Sequence, residues 1–356
     1  MVRLSRMEMQ EHNRAKVLAA ARDEFTERGF RDAKIDQIAE RVELTRGAVY
    51  SNFPSKRALY FAVLAQDADQ EPDPVYRPTA TTSGAALADF ARAWLAQLPL
   101  ATDDQRSATR LGRELLPEIL ADERISAPFS QLTGLSAILL GLCMEQLQPP
   151  KQAASRMVQI AEIALTTLHG ASQLAAAAPG FGEPFTIVRA CEQLVELDLD
   201  DKWQPTHVPH ISPARPADMQ WNPPTMTDAL RNEAADMKHD GVVAVLGLHR
   251  IAAIEEALRA APPADAVTAA LVTSNAGELG PLAHLAVADL RNCLRAAVPA
   301  SAWPRLQVIH DESGALAAAT GVSAISDATE SAVRIRAGRI VACADGYGAC
   351  HAAASA

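Results

Sequence analysis

The chain has 356 residues, more than one hydrophobic core usually organises, so its length favours two or three domains. Its apolar fraction of 49% excludes an intrinsically disordered protein. The net charge of −10 is uneven, since residues 1–64 carry 12 basic and 9 acidic side chains against 21 and 34 in the remainder, and a basic head on an acidic body favours nucleic-acid contact at the N-terminal end alone.

The sequence gives no clear signal for membrane insertion, for secretion or for disulfide formation. No stretch approaches the apolar length that spans a bilayer, and the first residues lack the apolar core of a secretory signal. We therefore expect a cytoplasmic protein with no membrane partner. The five cysteines, an odd number scattered along the chain, do not form a disulfide framework, so we expect reduced thiols, no metal site and no cofactor.

Apolar residues recur at steps of three and four through the first 200 residues, which is typical of helices. Gly29 suits a left-handed helix end, while Thr45 and Ser55 suit helix N-caps on either side of the helix break at Pro54. The pattern predicts helices at 11–28, 34–41, 45–52, 56–64, 84–98, 103–121, 126–146, 151–176 and 185–198.

The composition changes in the region 202–225, which contains six prolines and no apolar periodicity. We interpret this region as a semi-stiff linker. Beyond it, strand and helix patterns alternate. The sequence predicts strands at 241–248, 266–273 and 305–310, helices at 250–261, 280–297 and 314–320, then two strands within 331–346 that turn at Ala337 and Gly338, and a last helix from Tyr347. This order predicts an α/β domain whose early strands are parallel and whose last pair is antiparallel.

Residues 29–60 combine a short helix, a tight connection and a second helix with small, polar and aromatic side chains, as a DNA-reading helix requires. Gly47 permits close approach of the backbone to a groove. The residues that supply donors and acceptors for phosphates and base edges are Thr45, Arg46, Tyr50 and Asn52. The alternative is an amphipathic three-helix unit whose basic face is merely solvated.

The same segment resembles the TetR family of regulators through four spaced features: Gly29-Phe30, Ile38-Ala39, Gly47-x-x-Tyr50 and Phe53-Pro54-Ser55-Lys56. The resemblance is strong over about 11–65. From there to about residue 200 it rests only on the length and the general helical composition of the segment. It implies that Thr45 and Tyr50 contact phosphate, Gly47 approaches a base, and Lys56 anchors the DNA backbone. Arg46 is the variable position expected to contact a base.

Two positions depart from that family pattern. Glu43 occupies a turn where glycine is usual, so we expect a left-handed non-glycine residue at a cost of roughly 1 kcal/mol. Ala33 stands where a capping hydroxyl is usual, which leaves Asp32 or solvent to satisfy the amides of the second helix.

The resemblance further implies a homodimer joined through about 151–198, a palindromic operator in double-stranded DNA, and a small-molecule effector in the helical domain. The alternative for 151–198 is that its helices close only the core of the subunit. We consider four effector-binding candidates, each of which is better explained as surface charge or ordinary core: Trp94, Arg110, Glu114 and Met144.

The element order of 241–356 is similar to that of thioredoxin-like proteins. Redox chemistry in that family needs a reactive thiolate where a helix begins after the second strand, and the corresponding segment 273–282 contains no cysteine. We therefore expect a redox-inactive module for interaction, dimerisation or sensing. Cys343 and Cys350 with His351 match no zinc spacing, and buried thiols explain them better than a thiol pair or metal site.

The sequence thus predicts a multidomain protein: an all-α TetR-like helix-turn-helix and helical regulatory domain, then an α/β thioredoxin-like domain. The expected boundaries are 1–54 for DNA binding, 55–200 for ligand binding and dimerisation, 201–226 for the linker and 227–356 for the α/β domain. We expect a ligand-responsive transcriptional repressor, with no catalytic residues. The alternative function is a redox or other enzyme that uses the C-terminal domain.

Overall fold

A computed structural model of the chain describes residues 6–72, 74, 76–98, 111–112, 114–149, 155–178, 180–203 and 211–356. The described residues form helices in the N-terminal part and a mixed sheet with helices in the C-terminal part. The prediction of an all-α region followed by an α/β region is confirmed.

Three helices open the chain: α1 (Arg6–Asp32), α2 (Ile35–Arg41) and α3 (Arg46–Asn52). Gly29 interrupts α1 with φ of 75° and ψ of 168°, so the helical part ends where the sequence predicted it. Ile38 and Val49 are fully buried between these helices, and they hold α2 and α3 at their crossing angle.

The helical body follows. Its elements are α4 (Lys56–Asp69), α5 (Ser83–Ala96), α6 (Leu115–Leu120), α7 (Glu123–Gln146), α8 (Val158–Ala177) and α9 (Pro184–Gln193). Residues 103–110 and 113 of the predicted helix 103–121 lie outside the described residues, as does the predicted start of α8 at 151–154.

Helix α7 differs from the expectation that no stretch suits a bilayer. Among the described residues it is the one helix long and apolar enough to cross a membrane by length and composition. However, 61% of its most apolar window is buried inside the protein, as in the central helix of a packed domain. At Gly141, α7 comes so close to α8 that an added Cβ would lie 2.8 Å from the Val158 Cα.

The C-terminal part is built on a six-stranded sheet of order β1-β8-β7-β4-β5-β6, and β2 pairs with β3 in a separate ribbon. The strands are β1 (Arg215–Gln220), β2 (Thr227–Asp228), β3 (Glu233–Ala234), β4 (Gly241–Gly247), β5 (Ala266–Val272), β6 (Leu306–His310), β7 (Glu330–Arg336) and β8 (Arg339–Asp345). The helices are α10 (Ile254–Ala260), α11 (Ala276–Ala297), α12 (Ala315–Ala319) and α13 (Ala349–Ala354).

The strand directions follow the prediction. β4, β5 and β6 are mutually parallel, and β7 and β8 form an antiparallel hairpin. Its turn lies at Ala337 and Gly338, whose φ angles of 47° and 73° match a two-residue turn with both central residues left-handed.

The prediction that residues 201–226 form a linker is wrong for the second half of this segment. Arg215–Gln220 pairs antiparallel with β8 as an edge strand, and Trp221 is buried with its Nε1 donating to the Met237 carbonyl at 2.8 Å. An edge strand tolerates Pro216 because only one side of it is paired. The prolines that suggested an extended linker are therefore compatible with the start of the sheet.

Helix α11 joins the two parts, because it packs lengthwise against α4 and also touches α5 and α7. Near the start of α4, Glu278 accepts a hydrogen bond from the Ser55 hydroxyl at 2.8 Å. Near its end, the Asn292 amide donates to the Ala68 carbonyl at 2.7 Å. One continuous apolar core runs from the first helices through this contact into the sheet.

Candidate nucleic-acid interface and internal cavity

Helix α3 is presented on the outside of the N-terminal part. The Thr45 hydroxyl caps it by accepting from the Ala48 amide at 3.2 Å, while Val49 is the fully buried residue that fixes its inner side. Thr45, Arg46, Gly47 and Tyr50 are exposed. The structure thus brings four of the six predicted DNA-binding residues to one accessible helix.

Arg46 and Tyr50 form a stacked pair on this surface. The Arg46 guanidinium lies 5.5 Å from the Tyr50 ring centroid and 3.6 Å from the Asp36 carboxylate of α2. The hydrogen bond with Tyr50, followed by the charge of Asp36, raises the pKa of Arg46 above its usual value. A permanently charged donor is therefore held in front of α3.

The remaining two predicted residues are engaged within the protein. The Asn52 side chain donates to the Ala48 carbonyl at 2.8 Å, and the Asn52 carbonyl accepts from the Arg14 guanidinium at 3.0 Å. Lys56 donates to the Arg31 carbonyl at 3.1 Å and lies over the Phe30 ring. Partial burial lowers the pKa of Lys56. In this structure Lys56 links α4 to the end of α1, and the Asn52 carbonyl links α3 to α1.

The turn before α3 behaves as predicted at Glu43, which adopts φ of 55° in the left-handed region. The capping prediction is different. Lys34 occupies the N-cap of α2 and makes no side-chain capping hydrogen bond, so Asp32 does not take that role.

A buried carboxylate that sequence reasoning missed holds α2 against α1. Glu24 is fully buried, receives the Arg41 guanidinium at 3.0 Å and the Arg28 guanidinium at 3.1 Å, and accepts from the Lys34 amide at 3.4 Å. The available signal was an acidic residue beside Phe25 on the apolar side of a helix. Such a charge is kept inside only when it is paired.

A cavity of about 820 Å³ lies between α4, α5, α7, α8 and α11. Among the predicted effector residues, Trp94 lines it, whereas Arg110 lies outside the described residues. Glu114 is instead near the end of α1, where it accepts from the Arg31 amide at 3.2 Å. Met144 is fully buried in the core and does not line the cavity.

Aromatic and hydroxyl groups face each other across one end of this cavity. The Trp94 indole donates to the Ser172 hydroxyl at 3.0 Å, and its ring centroid lies 4.8 Å from that of His169. The His169 Nδ1 bonds to the Leu165 carbonyl at 2.8 Å, and burial lowers the pKa of the imidazole. The neutral form of His169 is therefore favoured at neutral pH.

The segment expected to carry a redox cysteine forms the start of α11 and contains none. Burial is the first cause that raises the pKa of every thiol in the chain, to about 12 for Cys143 and to about 11 for Cys191. In the part of the chain that the structure describes, no three potential ligand side chains are grouped to hold a metal ion.

Open α/β sheets bind ligands beyond the carboxyl ends of their parallel strands. In this protein that place holds His284 and His310, stacked with centroids 3.8 Å apart, and Glu312 bonded to His284 at 3.0 Å. The space between them is only about 20 Å³. That volume is about the size of one water molecule, so this crevice has no room for an organic substrate.

Comparison with known proteins finds transcriptional regulators that match short parts of this chain. The HTH-type transcriptional activator FasR of Mycolicibacterium smegmatis is 34% identical over 73 residues, which are 20% of this chain and 33% of FasR. The HTH-type transcriptional regulator RutR of Escherichia coli K12 is 43% identical over 53 residues, or 15% and 25%. The HTH-type transcriptional regulator SrpR of Pseudomonas putida is 44% identical over 55 residues, or 15% and 26%. The chain thus spans between a quarter and a third of these relatives' length.

Two solved structures align with about half of the chain. A transcriptional regulator from Rhodococcus sp. Rha1 has 23% identity and a TM-score of 0.32, covering 51% of this chain and 94% of its own. NalD, the secondary repressor of the MexAB-OprM multidrug efflux pump in Pseudomonas aeruginosa, has 19% identity and a TM-score of 0.31, covering 52% and 96%. Residues 17–63 also match the family model for bacterial regulatory proteins of the tetR family. The helix-turn-helix at the N-terminal end of this chain is therefore a TetR-family domain.

Proposed function

We propose that this protein is a sequence-specific transcriptional regulator, a ligand-responsive repressor that binds a palindromic operator as a dimer. The observation that carries the proposal is the outward presentation of α3 by a TetR-family domain. Thr45, Arg46, Gly47 and Tyr50 are exposed while Val49 anchors the helix from within. A surface of small, polar and aromatic side chains on a rigidly held helix suits the major groove.

The residues take different roles in this proposal. Arg46 provides the fork of donors that suits a guanine edge, and Gly47 leaves room for close approach to the bases. Thr45 and Tyr50 flank them with hydroxyl groups suited to phosphate oxygens. Lys56 contributes by linking α4 to α1 through the Arg31 carbonyl, and the Asn52 carbonyl links α3 to α1 by accepting from Arg14.

Exposed apolar side chains on and beyond α8 support the dimer. Leu174, Phe181, Phe185 and Leu197 are 45%, 68%, 73% and 47% exposed, and they fall within the segment 151–198 predicted to join subunits. Large apolar side chains clustered on a surface mark an interaction site. A second copy that covers them would place two α3 helices on successive major grooves, about 34–36 Å apart.

The cavity beside α4 supports the ligand response. Cavities of about 300–1,000 Å³ accommodate drug-sized molecules, and α4 connects the DNA-binding helices to the body. A ligand shifts a conformational equilibrium only by its difference in affinity for two arrangements. We infer that the effector binds here and favours the arrangement whose paired α3 helices no longer match the operator.

The C-terminal part is assigned to interaction or sensing as a redox-inactive, thioredoxin-like module. The absence of cysteine at the start of α11 and the raised pKa values of the thiols support this assignment over the alternative of a redox enzyme. Clear turnover in an insulin-reduction assay would contradict it.

The decisive experiment selects bound sequences from random DNA with the full chain and then titrates a palindromic duplex at several salt concentrations. Tyr50→Ala is expected to weaken binding about equally across sequences and to leave the salt slope nearly unchanged, because the lost phosphate contact carries no positive charge. Arg46→Ala should cost about 1–3 kcal/mol and relax preference at one base position per half-site. Arg92→Ala on α5, which is 55% exposed, serves as the matched loss of a surface arginine and should change neither.

Two further measurements separate the parts of the proposal. Light scattering at micromolar concentration should give the mass of a dimer, and a monomeric mass would exclude the paired arrangement. Unchanged DNA affinity and salt slope in both α3 variants would remove α3 from the interface.

A further inference from the structure

The cavity is not enclosed by the helical body alone. Helix α11, which belongs to the C-terminal part, supplies one whole side of it through Leu282, Leu285, Ala286, Asp289 and Leu290. The helices α5, α7 and α8 of the helical body also line it. A molecule in this space therefore touches both parts of the chain.

Asp289 is the acidic group of α11 that faces this space, and Arg295 is the basic one. Asp289 is partly buried and keeps some accessible surface where it borders the cavity. Among the described residues, none donates a hydrogen bond to its carboxylate or forms an ion pair with it. A buried carboxylate without a partner is costly, and a ligand that supplies a positive charge would relieve that cost.

The neighbouring cations are committed to other groups. Arg291 of α11 pairs with the Asp69 carboxylate at 3.1 Å, and Arg22 of α1 pairs with the Asp67 carboxylate at 2.9 Å. The Arg295 guanidinium donates to the Arg231 carbonyl at 2.8 Å. The described cavity wall therefore carries three carboxylates, Asp67, Glu71 and Asp289, against two guanidinium groups, Arg22 and Arg295, which is an excess of one negative charge.

The part of the cavity wall formed by α5, α7 and α8 is aromatic. Trp94, His169 and Phe129 follow one another, with centroids 4.8 Å apart for the first pair and 6.1 Å for the second. Because His169 is held neutral by burial, it adds no positive charge. Aromatic faces attract cations, most strongly where water is excluded.

We propose that the cavity binds an organic cation with an apolar body, and that Asp289 of the C-terminal part is its counter-ion. This inference rests on the proposed ligand response and gives the additional domain a role within the effector site. The apolar body would contact the leucines of α11 on one side and the aromatic rings on the other.

The charges facing the site predict how binding depends on pH. Burial, followed by the negative charge of Glu71, raises the pKa of Asp289 to about 7, with Arg291 opposing the shift and Asp69 adding to it. The other charged or titratable groups on the cavity wall are Arg22, Asp67, Glu71, His169 and Arg295. A bound cation favours the ionised carboxylate, so binding near pH 7 releases a proton, and affinity should fall about tenfold from pH 8 to pH 6.

The test uses two ions of the same shape and opposite charge, tetraphenylphosphonium and tetraphenylborate, in calorimetric titrations of the full chain. The phosphonium should bind with a heat that depends on the ionisation enthalpy of the buffer, and the borate should not bind. Asp289→Asn should weaken phosphonium binding at pH 8 by about tenfold or more, and Asp289→Glu should recover part of it. Asp23→Asn on the exposed side of α1 is the matched control and should have no effect.

Each outcome either supports or overturns the cation site at Asp289. Equal binding of the two ions, or phosphonium binding unchanged in a folded Asp289→Asn variant, would show that apolar contact alone acts and would overturn the proposal. Failure of the phosphonium to bind a chain that still binds DNA would overturn this inference and leave the regulator intact. Phosphonium binding through Asp289 in a chain that binds no DNA would leave the cation site standing and remove the regulator.

Discussion

Glu255 of α10 lies at the centre of an ion-pair network between the two parts of the chain. It is 5% exposed and accepts from two nitrogens of Arg156, both at 2.7 Å, and from Arg259 at 3.2 Å. Arg156 also pairs with Asp201 at 2.7 Å, and Arg259 pairs with Glu145 of α7 at 2.6 Å. Glu255→Ala would leave two largely buried guanidinium groups short of a partner.

The expected loss follows from that burial. Removing one partner of a buried ion pair costs about 3–5 kcal/mol. An unfolding entropy of about 2.1 cal/mol/K per residue over the whole chain of 356 residues converts this loss into a fall of roughly 4–7 °C in Tm. If the C-terminal part unfolded alone, the same free energy would lower its own transition by roughly 10–16 °C.

Differential scanning calorimetry distinguishes these cases, and the fluorescence of Trp203, whose ring lies 5.8 Å from the Arg156 guanidinium, reports on the network itself. We expect one transition that moves as a whole. The control Asp23→Ala removes an exposed carboxylate and should change stability by no more than about 0.5 kcal/mol. Two resolved transitions of which one moves, or a loss below about 1 kcal/mol, would refute the reasoning.

Three further substitutions test other features. Glu43→Gly should stabilise the protein by about 1 kcal/mol in urea unfolding, because φ is 55° at that turn, whereas Glu40→Gly within α2 should destabilise it by about as much. Gly141→Ala should cost about 1–3 kcal/mol in the same assay, since its Cβ would lie 2.8 Å from the backbone of α8, while Gly134→Ala in the same helix meets nothing within 4 Å and should be neutral or stabilising. The folded-state pKa of Asp289, about 7, lies above the ordinary 3.8, so the wild type loses stability as pH rises between these values. Asp289→Asn should therefore unfold at a higher temperature than the wild type at pH 8 and at the same temperature near pH 4, and an advantage confined to acid would contradict the assigned cause.

The sequence was most informative where local spacing determines structure. The Thr45 cap, the burial of Val49, the left-handed Glu43 and the Ala337–Gly338 turn are all present because each depends on residues a few positions apart. The parallel order of β4, β5 and β6 likewise follows from continuous apolar runs separated by helices.

What the sequence did not show depends on partners distant along the chain. The strand at Arg215–Gln220 exists because β8 offers a free edge, which no local pattern reveals. Lys56 and Asn52 carry donors suited to phosphate, but the Arg31 carbonyl near the end of α1 accepts from Lys56 and the Ala48 carbonyl of the same helix accepts from Asn52. Trp94 lines the cavity with Asp289, and nothing in their separation of nearly two hundred residues indicates that they share one space.

The lengthwise contact between α4 and α11 has a mechanical consequence. A 22-residue helix rooted in a six-stranded sheet is fastened to α4 near both its ends, at Glu278 and at Asn292. Any tilt of α4 that repositions α3 must move α11 and the sheet with it, or break the hydrogen bonds at Glu278 and Asn292. The C-terminal part thus restrains the movement of α4, and a chain shortened before the sheet would expose the apolar side of α4 that α11 covers.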